Sequence, residues 1–255
     1  MVLIESSPKK IYIRVEAQPV TTAGIYHSPS LWLISLSSDW TNWITIVDKN
    51  LWATQVYNDG DILGEANCWK YYQRWNNYGF PFTWAVTTSS TQVNAQNYWP
   101  WNYYNSSTFI KRSSSPYNWS SVQNDNLWGN TTDTLVARKW PCDDGYHVAT
   151  STEYILVTSI LNSIWITTWA NTKKYLKMPI AWRRIHTTWD ISNQWEYWNY
   201  WTSTPGNVNW AYTFTISESL IENGSKQYSS WISIRPFANT PVQPDDSRTV
   251  LYPTS

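Results

Sequence analysis

Tryptophan stands in this chain where a fold ordinarily places its smallest residue. Between Met178 and Tyr200, Trp182, Trp189, Trp195 and Trp198 sit among Asp, Asn, Ser, Thr and Gln, the usual neighbours of turn glycines. The next stretch, up to Pro236, alternates as strands do, with Tyr212, Phe214 and Ile216 on one side and Ile232 and Ile234 further on. The chain holds 21 Trp and 8 Gly in 255 residues, where average usage would supply roughly 18 glycines. A turn that needs positive φ costs a bulky residue about 1–3 kcal/mol. Eight such turns would consume a typical domain stability of about 5–15 kcal/mol.

The charge balance argues against a polyanionic partner. The 18 Lys+Arg are matched by 18 Asp+Glu, and charged residues are only 14% of the chain, so the polar surface comes from Asn, Ser, Thr, Gln and Tyr. Nucleic-acid binding is therefore not expected, and such a surface suits recognition by hydrogen bonds. No apolar run approaches the roughly 18 residues of a membrane span, so no membrane insertion within this chain is expected. The opening MVLIESSPKK carries too short an apolar run for a leader, so an export signal is not visible. Cys68 and Cys142 are the only cysteines, compatible with one disulfide or two idle thiols and too few for a cysteine-based zinc site.

Along the chain, Ile11 to Val15 reads as a short strand and Pro19 to Ser30 as loop. Two β-prone runs, LWLISLSS and NWITIVD, flank Asp39-Trp40-Thr41. After an Asn58-Asp59-Gly60 turn, a short helix is predicted from about Ile62 to Arg74, and Thr83 to Ser115 reads as long loops with short strands. Thr150 and Glu153 stand in capping-box spacing, with Tyr154, Val157, Leu161 and Ile164 on one face, which predicts a helix over Ser151 to Ser163. The proline-bearing tail reads as a flexible end or linker.

Four motifs in order, NLWGN (126–130), PCDDGYHVATSTEY (141–154), NYWTSTP (199–205) and ISIRPF (232–237), resemble the Fibrobacter succinogenes major paralogous domain; DKNLWAT and YYQRWNNYGF are similar to its upstream motifs. The resemblance implies an α+β, C-type-lectin-like domain of two helices with short, mostly antiparallel strands and long loops, related to formylglycine-generating enzymes. It covers residues 28–238, with an N-terminal strand or extension at 1–27 and a tail at 239–255. It also implies a bacterial surface protein, extracellular or cell-surface, that binds a protein or carbohydrate ligand without a cofactor or metal.

The departures from that family pattern are systematic. Trp52, Trp75, Trp140, Trp182, Trp189, Trp195, Trp198 and Trp231 stand where the family pattern leads one to expect glycine, with Trp40 and Trp69 similar. Trp43, Trp119, Trp128 and Trp201 stand where it accepts an aromatic. One explanation is an alternative genetic code in which UGA is read as glycine; the other is a tryptophan-rich stacking surface. Recoding predicts positive φ, or unpacked projection into solvent, at the first group.

Catalytic signals are thin. His27, His147 and His186 lack the spacing of a zinc helix, and nothing after Cys142 can serve as the C-terminal cysteine of formylglycine-generating enzymes. No enzymatic activity is expected; Asp143-Asp144-Gly145 reads as a turn more readily than a calcium site. The binding reading rests on the polar letters between the presumed turns: Arg183, Arg184, His186, Asn193, Glu196, Tyr197 and Asn199, with Asn209 and Thr213 beside them. Their layout resembles the ligand-contacting segment of C-type-lectin-like variable proteins diversified by retroelements. A structural module of a large surface protein is the alternative, and a formylglycine-generating-type enzyme a weaker one.

Overall fold

The computed structural model describes residues 24–39, 41–68, 70–81, 86–93, 106–121, 128, 141–179, 183–184, 187, 191–192, 197–207, 209–217, 221–244 and 249–253. It is a mixed α+β structure with few helices and mostly antiparallel strands.

A six-stranded antiparallel sheet forms one layer. Its strands are β1 (Gly24–Ser28), β2 (Leu33–Ser37), β3 (Trp43–Val47), β8 (Tyr146–Val148), β14 (Pro236–Ala238) and β15 (Thr249–Pro253), in the order β15-β1-β2-β3-β14-β8. The β2–β3 turn is an Asx turn. The Asp39 carboxylate accepts the backbone N–H groups of Thr41 and Asn42 at 2.9 and 2.8 Å, and these bonds hold its pKa far below the ordinary carboxylate value. A three-stranded antiparallel sheet forms the other layer: β11 (Tyr197–Pro205), β12 (Trp210–Ser217) and β13 (Ile221–Gln227). The remaining pairs are short. β4 (Lys70–Tyr71) and β5 (Phe80–Pro81) pair antiparallel, β6 (Thr88–Ser89) and β7 (Phe109–Ile110) parallel, and β9 (Arg183–Arg184) and β10 (Ile191–Ser192) antiparallel.

Three helices are present among the described residues: the single turn α1 (Glu65–Cys68), α2 (Ser151–Ser163) and α3 (Trp169–Tyr175). α2 matches its expectation residue for residue. Thr150 Oγ1 accepts the Glu153 N–H at 3.1 Å while Glu153 Oε2 accepts the Thr150 N–H at 2.7 Å, closing both halves of the box. The same Glu153 carboxylate reaches buried His147 at 2.9 Å, so the cap also ties the helix to β8. Tyr154, Val157, Ile160 and Leu161 are buried. They join Ile25, Ile34, Leu36, Ile44 and Ile46 of the large sheet and Trp198, Tyr200, Phe214 and Ile216 of the small one in a single cluster. Tyr154 stacks on Phe214 at 4.2 Å and 7°. A second cluster, under the irregular segments, gathers Trp75, Trp119, Trp128, Trp201, Tyr228, Ile232 and Ile234. A third packs Trp231 against Tyr71, Phe80 and Phe109.

Three expectations are corrected. The helix expected over 62–74 is confined to Glu65–Cys68, because Lys70 and Tyr71 pair with β5, Tyr72 bridges Ile232, and the chain turns at Arg74-Trp75. The tail read as a linker instead returns as an edge strand, β15, pairing Gly24↔Pro253 and His27↔Thr249 with a register shift between Ile25 and Tyr26. Pro19 to Ser30, read as loop, contains β1, so the sheet takes strands from both sides of residues 28–238. The strand expected at Ile11 to Val15 lies outside the described residues.

The capping box carries a testable expectation. Thr150→Ala removes the acceptor for the Glu153 N–H and should cost about 1 kcal/mol in urea unfolding, while Thr150→Ser stays near wild type. Equal stability of all three chains would show that the cap contributes nothing.

Candidate functional site

The stretch expected to carry recognition begins and ends in the same apolar cluster. Met178 and Trp198 are both buried there. The Tyr200 hydroxyl donates to the Pro179 carbonyl at 2.8 Å, which clips β11 to the point where the stretch leaves the core. Between these anchors Arg183 and Arg184 lie in β9, opposite Ser192 and Ile191 of β10. Tyr197 opens β11 opposite Ser217 of β12. His186, Asn193 and Glu196 lie outside the described residues.

Two candidate contacts change role. Asn199 is 1% and Thr213 0% exposed. They share one face of the small sheet with Thr215, whose hydroxyl donates to Asn199 Oδ1 at 3.1 Å and lies 3.3 Å from the Thr213 hydroxyl. On the other face Tyr200, Phe214 and Ile216 pack against α2. Both faces of β11 and β12 are thus covered, and Asn199 and Thr213 are internal hydrogen-bonding residues of the frame, not surface contacts. Asn209 is half-buried at the β11–β12 hairpin. Its N–H donates to Asn207 Oδ1 at 2.9 Å and its own Oδ1 accepts from Ser115 Oγ at 3.0 Å.

An open cleft of about 540 Å³, not singled out from the sequence, lies beside the β1–β2 turn. Its lining includes Leu31, Trp32, Lys49, Trp52, Asp143 and Tyr146. Trp32 and Trp52 are half exposed, with the Lys49 ammonium 4.3 Å from the Trp32 ring and that of Lys70 6.0 Å from the Trp52 ring. The sequence signal nearest this cleft is the DKNLWAT motif, which entered only as similar to an upstream family motif with Trp52 at an expected glycine position.

The two described histidines have structural partners. His147 Nδ1 lies 2.9 Å from Asn239 Oδ1 and its Nε2 2.9 Å from Glu153, while His27 Nε2 lies 2.8 Å from the buried Asp48 carboxylate. Among the described residues no group of three His, Cys, Asp or Glu is placed to hold a metal ion. Gly145 closes a turn in which the Tyr146 N–H donates to the Asp143 carbonyl at 3.1 Å, the turn reading of Asp143-Asp144-Gly145. Both cysteines are free and buried. Burial pushes the Cys68 thiol up to about 12, against a smaller lowering by the Gly64 backbone, and pushes Cys142 higher still.

No family model, curated protein or solved structure matches the chain. Among the described residues no helix is long and apolar enough to cross a membrane.

The thiols give a direct check on this packing. The native protein should leave an aromatic disulfide reagent unconsumed at pH 8, and should release two equivalents once unfolded without reductant. One or two equivalents from the native state would contradict the burial, and none after unfolding would mean that the two are bridged.

Proposed function

We propose that the chain is a noncovalent recognition module of C-type-lectin-like architecture, akin to the Fibrobacter major paralogous domain. It binds a protein or carbohydrate at a cell or particle surface through the segment between Met178 and Trp198. The observation that carries this reading is the double anchoring: both ends of a polar, turn-rich segment are fixed in one core, and the Tyr200–Pro179 hydrogen bond holds entry and exit together. A loop restrained in this way loses less conformational freedom when it binds, so its donors, acceptors and aromatic surface yield more net affinity. The composition of the segment fits that role. Arg183, Arg184, His186, Asn193, Glu196 and Tyr197 supply charge, amide and ring within one short run, with Asn209 at the neighbouring hairpin.

Asn199 and Thr213 serve this site from inside. The Asn199 amide oxygen and the Thr213 hydroxyl both meet the Thr215 hydroxyl within the small sheet and set the strand positions from which the segment departs. The layout of the segment also resembles that of variable proteins served by diversity-generating retroelements, in which loop letters change while the frame stays constant.

The reading is tested by screening the full chain on an immobilised glycan array and a panel of purified surface proteins. Arg184→Ala/His186→Ala/Tyr197→Ala should lose at least tenfold in affinity for whatever ligand is found, with an unchanged melting midpoint. A collapse of the melting transition would make these residues scaffold, and unchanged affinity would place the binding surface elsewhere.

A further inference from the structure

Among the described residues, five that are not glycine adopt left-handed backbone, and four of the five are tryptophan: Trp32 at φ 59°, Trp52 at 65°, Trp75 at 67° and Trp165 at 62°. The fifth is Lys177 at 53°. Left-handed backbone favours glycine because a Cβ crowds the adjoining peptide, and among side chains Asn and Asp bear it best. A bulky aromatic is among the poorest choices, so this concentration on one residue type asks for a cause.

Local geometry makes the mismatch specific. Trp52 is the third residue of a turn closed by Ala53 N–H to Asn50 carbonyl at 2.9 Å, and Trp75 the third of one closed by Asn76 N–H to Gln73 carbonyl at 2.9 Å. The two left-handed glycines among the described residues occupy the same position in the same kind of turn. Gly60 lies in Asn58–Asp61, closed at 3.0 Å, and Gly145 in Asp143–Tyr146, closed at 3.1 Å. Positive φ at the third residue is where such turns take glycine.

Trp165 follows the last turn of α2, in the position where helices most often place glycine. The Ile166 N–H donates to the Leu161 carbonyl at 2.9 Å and the Trp165 N–H to the Asn162 carbonyl at 3.1 Å, the two bonds of a Schellman ending. Trp165 itself is 83% exposed. Trp32 is the last residue of the loop joining Ser28 to Leu33, where four-residue hairpin loops turn back into the strand.

The other indoles behave oppositely. Trp119, Trp128 and Trp201 are buried with ordinary φ, and their ring N–H groups donate to Arg74, Asn77 and Tyr72. Trp198 and Trp231, expected among the glycine sites, are also packed and not left-handed. They belong with this second group. Trp140, Trp182, Trp189, Trp195, Trp40 and Trp69 lie outside the described residues.

We infer that the protein made by its source cell carries glycine at positions 32, 52, 75 and 165, the codon written there as tryptophan being read as glycine. Trp32 and Trp165 join the set on backbone geometry alone. The cleft beside the β1–β2 turn then loses two of its aromatic walls, Trp32 and Trp52.

The coding DNA and the recombinant protein test this separately. UGA codons at 32, 52, 75 and 165 together with UGG at 119, 128 and 201 are expected; UGG at the first four overturns the inference. In the full-length protein, Trp32→Gly/Trp52→Gly/Trp165→Gly should raise the melting midpoint by several degrees. Trp119→Gly and Trp201→Gly, made singly, should lower it. A triple variant that melts below the tryptophan form also overturns the inference. Trp75→Gly is kept apart, because Trp75 is buried against Tyr228 at 4.4 Å and its loss opens a cavity in the present packing.

Discussion

Buried main-chain carbonyls must find donors, and in a chain with so many irregular segments the strands cannot supply them all. Here long polar side chains enter the interior to do so. Arg74, fully buried, donates to the carbonyls of Thr202 and Ser203 and thereby joins the turn after β4 to the middle of β11. Arg235, also fully buried, donates to Val47 at 2.9 Å and Lys177 at 2.7 Å, which ties the end of β3 to the end of α3. Gln73 bonds both the N–H and the carbonyl of Ile110 and the carbonyl of Ser229. The Trp201 indole closes on the Tyr72 carbonyl at 2.8 Å. The Gln73 and Trp201 contacts tie together segments of the cluster beneath the loops, and the Arg235 contacts tie β3 to the chain that leaves α3 beside the cluster around α2.

Rigidity of that kind is what the recognition reading requires. The small sheet packs on α2 through Phe214 and Ile216, α2 is capped onto β8 through Glu153 and His147, and the segment from 183 to 197 leaves and rejoins this block at fixed points. In the proposed recognition role, affinity would come from the letters of the loop and geometry from the block.

How much of this was legible in the sequence depended on the range of the interaction. α2 was fully legible, because a capping box and a 3.6-residue apolar period are local. β2 and β3 were legible for the same reason. β1 and β15 were not: their pairing joins residues more than two hundred positions apart, and the prolines of the tail read as a linker. The helix expected over 62–74 failed because apolar spacing cannot reveal that Tyr72 bridges Ile232 and that Trp75 turns left-handed. α3 was missed since its seven residues show little period, and its start rests on the Thr168 hydroxyl accepting the Asn171 N–H. Within the site, Asn199 and Thr213 were included as polar letters between and beside the presumed turns, with polarity standing for exposure. That equation fails where both faces of a sheet are covered. The tryptophan anomaly was visible as composition, but only backbone angles separated Trp52 and Trp75 from Trp198 and Trp231.

The dependence on buried guanidinium groups is the claim most open to direct measurement. Arg235→Met keeps the length and apolar bulk of the side chain but leaves the Val47 and Lys177 carbonyls without their donor. Lost hydrogen bonds to a charged group of about 1.5–3 kcal/mol each then predict a loss of about 3 kcal/mol or more in urea unfolding. A variant within about 0.5 kcal/mol of wild type, the usual range for a surface change, would contradict the account and leave apolar packing alone to hold β3 against the chain after α3.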